Sequence, residues 1–155
     1  MTCEGGWPVL HLDGAVSLGR VAFRSAAARP EIGASDGGHL TVGDRVFINH
    51  GASVVAHREI AVGDGCRIGE FAAIFDTNHH RVDEATPVVS GPVALGRNVW
   101  VGRGAVILPG VQIGDHAVIA ALSVVTEDVP PRTLVAGAPA RFVRSLTASD
   151  GWERD

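Results

Sequence analysis

A chain of 155 residues is long enough to bury roughly two-thirds of the surface its unfolded form would expose, so one self-contained domain over 1–155 needs no staples. Thirteen Lys and Arg are scattered among seventeen Asp and Glu, for a net charge of -4, which leaves no basic footprint for nucleic acid or an anionic membrane. Two cysteines, Cys3 and Cys66, fit no metal or redox spacing, MTCEGGWPVL lacks the basic and apolar regions of a leader, and no run of about eighteen apolar residues occurs, so a reduced cytoplasmic protein is expected.

Taken in chain order, the apolar residues recur with a period of six. A faint beginning at Leu12 and Leu18, partnered by Val16 and Ala22, dissolves into SAAARPEIGASDGGH. The frame then returns as Val42, Ile48 and Val54 with Val46 and Ala52, slips by two residues, and continues as Val62, Ile68 and Ile74 with Cys66 and Ala72. Its longest stretch is Leu95, Val101, Ile107, Ile113, Ile119 and Val125, with Val99, Ala105, Val111, Ala117, Ser123 and Val129 four residues after each. Neither a helical stripe at 3.6 nor simple alternation yields a strict six. A triangular solenoid does: each hexad supplies a short strand and a corner, the aliphatic residue faces the axis, and stacked turns satisfy the backbone. Twenty glycines and no tyrosine suit small, tight corners. Clear coils are expected over 40–130 and an arm over 131–155, of which 140–146 leaves the solenoid as a short helix or capping arm and the polar SDGWERD frays.

Function is sought where the period breaks. The break HHRVDEATPVVSGPVA falls between Ile74 and Leu95, twenty-one residues apart rather than the eighteen of three hexads, and predicts an extruded loop. Two histidines, His79 and His80, stand at its mouth, and an imidazole that titrates near neutrality suits removal of a proton from a hydroxyl.

The run NVWVGRGAVILPGVQIGDHAVIAALSVVTEDVPPRTLVAGAPARFVR, preceded by FDTNHHRVD, resembles the hexapeptide-repeat acetyltransferases, the family of maltose, galactoside, nodulation and xenobiotic acetyltransferases. The resemblance spans about 40–146. It implies an all-β, left-handed parallel β-helix, acetyl-CoA as cosubstrate with no metal, and direct attack by an acceptor hydroxyl on the thioester with a loop His as general base. It further implies a homotrimer with active sites between subunits. Ungapped counting from the Gly63-Asp64 corner points to His79 as that base; the alignment of Asp76, Thr77, Arg81 and Asp83 favours His80. On the acceptor side the resemblance places Asn49, Asp76 and Trp100, and on the coenzyme A side Arg103, Ala121, Thr126, Arg141 and Arg144.

Departures keep the acceptor open. Glu127 stands where relatives have a cation for the cofactor, Arg103 where sugar acetyltransferases have Ser or Ala, and Ala56 and His57 where they carry acceptor-side acids. A hydroxyl of a saccharide or small molecule is the expected acceptor, with an amino sugar as the alternative. A γ-carbonic-anhydrase-like metal site is the enzymatic rival, but the seven histidines include no pair five apart. A non-catalytic solenoid scaffold explains the hexads but not the His loop, N-V-W-V-G or G-A-P-A-R.

Overall fold

The computed structural model describes residues 1–154, and Asp155, the last residue of the expected arm, lies outside them. Within the described residues there are strands and no helix. Face one of a three-sided prism stacks β1 (Thr2–Gly5), β4 (Val21–Ser25), β7 (Val46–Ile48), β10 (Arg67–Ile68), β13 (Trp100–Val101), β16 (Val118–Ile119) and β18 (Thr133–Gly137), all parallel. Face two stacks β2 (Val9–Leu12), β5 (Glu31–Ala34), β8 (Ser53–Ala56), β11 (Ala73–Ile74), β14 (Val106–Ile107) and β17 (Val124–Val125). Face three stacks β3 (Ala15–Leu18), β6 (His39–Val42), β9 (Glu59–Val62), β12 (Val93–Leu95) and β15 (Gln112–Ile113).

The hexad aliphatics form the ladders that run down the inside. Ile48, Ile68, Val101, Ile119 and Val135 lie in register on face one. Ile32, Val54, Ile74, Ile107 and Val125 do so on face two, and Val42, Val62, Leu95 and Ile113 on face three. All of them are buried. Each such side chain contributes about 1.5–3 kcal/mol through its burial, and β-branched residues suit the pleated stack. Cys66 is one of these inward residues; burial pushes its thiol up to about 12, so it is an inert core group.

Corners are where the sequence must bend, and the backbone there visits the left-handed region. At the corner entering face one, Arg45, Gly65, Asn98, His116 and Arg132 have φ between 53° and 70°. The Asp that precedes several of them closes the stack: Asp44 Oδ1 accepts from the Arg20 N–H, Asp64 Oδ1 from the Asp44 N–H and Asp115 Oδ1 from the Arg97 N–H, at 2.8, 2.8 and 2.9 Å. The backbone donor of each turn is thus met by the carboxylate below it, and the Arg20 N–H holds the Asp44 carboxyl below its ordinary range.

Three expectations change. The stretch in which the hexads dissolve is not a gap: Ile32 and Ala34 on β5 are buried, in register with Val54 and Ala56. The early turns have four-residue strands, so inward residues alternate with period two and a hexad count misses them. Gly33 between them is required, because a Cβ there would meet the His11 carbonyl oxygen at 1.9 Å. The loop is also larger than a twenty-one against eighteen count implied. Ile74 and Leu95 occupy consecutive faces, as Ile107 and Ile113 do six residues apart, so the whole insertion sits within one corner.

The third change concerns the end of the chain. Residues 140–145 form β19 (Ala140–Ser145), antiparallel to β18, so the arm is present but is a strand and not a helix. An antiparallel strand covers the edge of the last coil, which a helix would leave unpaired. The polar tail beyond it is anchored across face one. Arg132 Nε donates to the Ala148 carbonyl at 2.8 Å and its guanidinium pairs with Asp150, Arg97 donates to the Asp150 carbonyl at 2.7 Å, and Arg67 donates to the Arg154 carbonyl at 2.7 Å. Asn98 Nδ2 donates to the Trp152 carbonyl at 3.0 Å, while its Oδ1 accepts from the Arg154 N–H at 3.0 Å. The same amide donates to His116 Nδ1 at 2.8 Å, beneath the Trp152 ring.

Two expected outcomes follow. Ile107→Ala should lower stability by about 2–5 kcal/mol, read as a fall in the urea midpoint. Burial pushes His116 below its ordinary value near 6.5, so the unfolded chain binds its proton more readily than the folded one. Stability should therefore fall as pH drops below about 6.5. In His116→Asn, whose side chain tolerates the left-handed backbone, the thermal midpoint should lose part of that pH dependence.

Candidate functional site

The loop is held at its neck by backbone bonds. Thr77 and Ser90 form an antiparallel bridge, the Asn78 N–H donates to the Val89 carbonyl at 2.9 Å, and the Gly91 N–H to the Asp76 carbonyl at 3.0 Å. Within it, Asp83 Oδ1 accepts from the Ala85 and Thr86 N–H groups at 2.9 and 2.7 Å. The Thr86 bonds hold the Asp83 carboxyl below its ordinary range.

At the neck, between faces two and three, the turns bring His11, Glu31, Ser35, His57, Thr77 and His79 around a cavity of about 200 Å³. His79 has φ +60°, an uncommon backbone state for a non-glycine residue, and its N–H donates to Thr77 Oγ1 at 3.2 Å. Its ring meets that of His57 edge to face, with centroids 4.4 Å apart and planes at 89°. His57 Nδ1 lies 2.9 Å from Asp36 Oδ2. His80, the residue favoured by alignment of the loop, is exposed and lies outside this cavity; its N–H donates to the Asn78 carbonyl at 2.6 Å. Asp76 is fully buried. One of its oxygens accepts from the Arg58 N–H at 2.7 Å and both lie within 3.1 Å of the His57 N. That carboxylate is committed to the backbone, so its place is under the cavity holding His57, and not as a free acceptor-binding group.

A second concavity lies on face one. It has a volume of about 850 Å³ and is lined among others by Asn49, Trp100, Arg103, Ala121, Trp152 and Arg154. Four of the residues singled out in the sequence therefore converge. The corner after face one supplies them: Asn49, Arg103 and Ala121 each precede the left-handed stack of Gly51, Phe71, Gly104 and Leu122, whose φ values lie between 55° and 66°. Asn49 is partly committed. Its Nδ2 donates to Glu70 Oε1 at 2.8 Å and its Oδ1 accepts from the His50 N–H at 2.9 Å, leaving one donor hydrogen and one lone pair. The Arg103 guanidinium lies 6.0 Å from the centre of the Phe71 ring. Arg154 stacks between Trp100 and Trp152, at 5.7 and 4.8 Å from their ring centres.

The remaining cations diverge. Arg141 lies 3.8 Å from Glu127, both side chains exposed, so Glu127 offsets the charge expected to meet a phosphate. Arg144 borders a smaller hollow with His116, Trp100 and Trp152, and Thr126 is exposed after β17. The sequence pointed to neither Asp36, Glu31 and His11 nor Trp152 and Arg154. The first three are joined to His79 only by the stacking of turns: Gly33 pairs with Val55 at a step of 22 residues but Ser53 with Ala73 at a step of 20, so no single period in the sequence aligns them.

The model of the family described as bacterial transferase hexapeptide (six repeats) matches residues 92–127. Nodulation protein L of Rhizobium meliloti (strain 1021) is 39% identical over 134 residues, covering 84% of this chain and 73% of that protein. Galactoside O-acetyltransferase of Escherichia coli (strain K12) is 33% identical over 129 residues, covering 81% of this chain; the chain spans only 64% of that enzyme's length. The crystal structure of a hexapeptide-repeat acetyltransferase from Vibrio cholerae O1 biovar eltor, complexed with acetyl-coenzyme A, superposes with a TM-score of 0.71 at 31% identity, covering 88% of this chain and 73% of that one. The prism is thus the left-handed parallel β-helix of those enzymes.

Because Asp76 is buried against two backbone donors, Asp76→Asn should turn an amide N–H toward a donor and cost about 1–3 kcal/mol, measured by chemical denaturation.

Proposed function

The chain belongs to the hexapeptide-repeat acetyltransferase family, and on that premise we propose that it is an acetyl-CoA-dependent O-acetyltransferase acting on a hydroxyl of a saccharide or similar small molecule, with His79 as general base. The observation that carries the choice of His79 over His80 is its place in the cavity with His57, Thr77 and the buried Asp76. His80 lines no part of that cavity.

The face-one groove has the chemistry that coenzyme A needs. Trp100, Trp152 and Leu134 offer apolar surface for a pantetheine arm, and Arg67, Arg103 and Arg154 offer cations for its phosphates. Small residues at Gly102, Ala120 and Ala121 keep the wall low. Arg141 and Arg144 extend the positive edge beyond it, with Arg141 attenuated by Glu127. When bound, acetyl-CoA supplies the acetyl thioester. His79 would take the proton of the hydroxyl on an imidazole nitrogen as that oxygen bonds to the acetyl carbon, the C–S bond breaks, and coenzyme A leaves as the thiol carrying that proton, while Asn49 uses its remaining donor and acceptor on the acceptor.

The groove and the His79 cavity share no lining residue and lie at different corners of the prism. A base must come within about 2.6–3.2 Å of the proton it removes, so one chain does not complete the site. A homotrimer solves this by setting the loop of one subunit against the groove of the next. The name of the E. coli relative, a galactoside O-acetyltransferase, fits a saccharide acceptor. Ala56 and His57, standing where sugar acetyltransferases carry acids, argue for an acceptor different from theirs.

The test is release of free coenzyme A from acetyl-CoA across a panel of sugars, amino sugars and other alcohols. His79→Ala should lower kcat by about a hundred- to ten-thousand-fold, while His80→Ala should stay within a few-fold of wild type. Full activity in both variants, or an active monomer by sedimentation, would overturn the reading.

A further inference from the structure

We propose that Asp36 and His57 are a positioning pair for His79, fixing its ring and setting a negative charge beside the nitrogen that receives the acceptor's proton. The inference rests on the assignment of His79 as base. Neither residue belongs to the hexad pattern or to the family motifs named above, and they come together only where the corner after β5, the corner after β8 and the loop after β11 stack.

Four observations carry it. Asp36 Oδ2 is 2.9 Å from His57 Nδ1. An ionised carboxylate only accepts hydrogen bonds, so Nδ1 carries the hydrogen and the His57 tautomer is set by Asp36. His57 is itself immobilised from behind, since its backbone N–H reaches both oxygens of the buried Asp76 at 3.0 and 3.1 Å. Its side chain is only 23% exposed, and its ring stands at 89° to that of His79 with centroids 4.4 Å apart. Finally, Asp36 and His79 both take left-handed backbone, at φ 54° and 60°, so each is aimed by its own corner rather than by a flexible side chain.

The chemical consequence follows from charge. As the acceptor hydroxyl gives up its proton, His79 becomes an imidazolium next to a pair whose net charge is -1 when His57 is neutral. That arrangement favours the protonated base without itself touching the reacting atoms. The other ionisable groups facing the cavity are Glu31 on β5, His11 on β2 and Asp76 beneath His57. They remain in place in the variants used here, so differences report on the pair.

Asp36→Asn is a suitable probe because Asn tolerates the left-handed backbone and keeps the shape while removing the charge. His57→Phe keeps a ring against His79 and removes the bond to Asp36. The first readout needs no acceptor: nitrogen-detected NMR of 15N-histidine-labelled protein, with His79→Ala assigning the His79 signal. Wild type should show His57 protonated at Nδ1, and Asp36→Asn should redistribute the His57 tautomers while leaving the His39 signals unmoved. The second readout is the kcat/KM profile against pH with the best acceptor of the panel. Each variant should lose roughly five- to tenfold in kcat with the acetyl-CoA KM unchanged, and the double variant should be no worse than either single one. If the His57 tautomer in Asp36→Asn and the rates of both variants are those of wild type while His79→Ala is inactive, the pair is overturned and the base assignment stands. If His79→Ala retains full activity, the base assignment fails and the pair's role fails with it.

Discussion

The rest of the molecule depends on backbone pairing between turns that cannot stand alone. Strands such as β10, β11, β13 and β14 are two residues long, far below what an isolated strand or hairpin needs. Each exists because the turn above and the turn below supply its hydrogen-bond partners and because Ile68, Ile74, Val101 or Ile107 is clamped into a continuous apolar column. Stability of this kind is summed over neighbours. It also explains the two ends: at the first turn, with nothing stacked above, Leu10 and Leu12 are 46% and 65% exposed, whereas the last turn is closed by β19 and the anchored tail.

Such a stack makes the corners the natural place for chemistry. The interior is filled by small and branched side chains and the faces are committed to pairing, so polar groups collect where the chain turns. Both concavities obey this. The one on face one draws Asn49, Arg103 and Ala121 from successive levels of the same corner. The other draws Asp36, His57 and His79 from successive levels of another, the last delivered by an insertion within a single turn. Residues far apart in the chain therefore become neighbours at about one turn's rise, and the spacing of turns rather than local motif sets which side chains meet.

The two corners also bear on specificity within the family. Glu127 beside Arg141 and Arg103 beside Phe71 redistribute positive charge from the far edge toward the face-one groove, where Arg154 stands between two tryptophans.

Much of this was legible in the chain itself. Leu95 to Val125 at strict sixes dictated the solenoid, because only a three-sided coil turns an apolar residue inward at that period, and the loop at 79–94 could be anticipated from the break in it; the resemblance set Asn49 and Trp100 apart from Arg103 and Ala121, and only the stacked turns bring the four into one groove. What the one-dimensional pattern did not hold was anything decided between turns. The early coils hid Ile32 and Ala34 behind a period of two, the end of the chain became a strand because an open sheet edge needed a partner, and Trp152 and Arg154 were tied down by Asn98, Arg67 and His116. That His79 and not His80 stands against His57 likewise needed tertiary structure, since only the stacking of turns brings the corner carrying His57 beside the loop. The period is a property of each turn taken singly, whereas the site is a property of how turns are stacked.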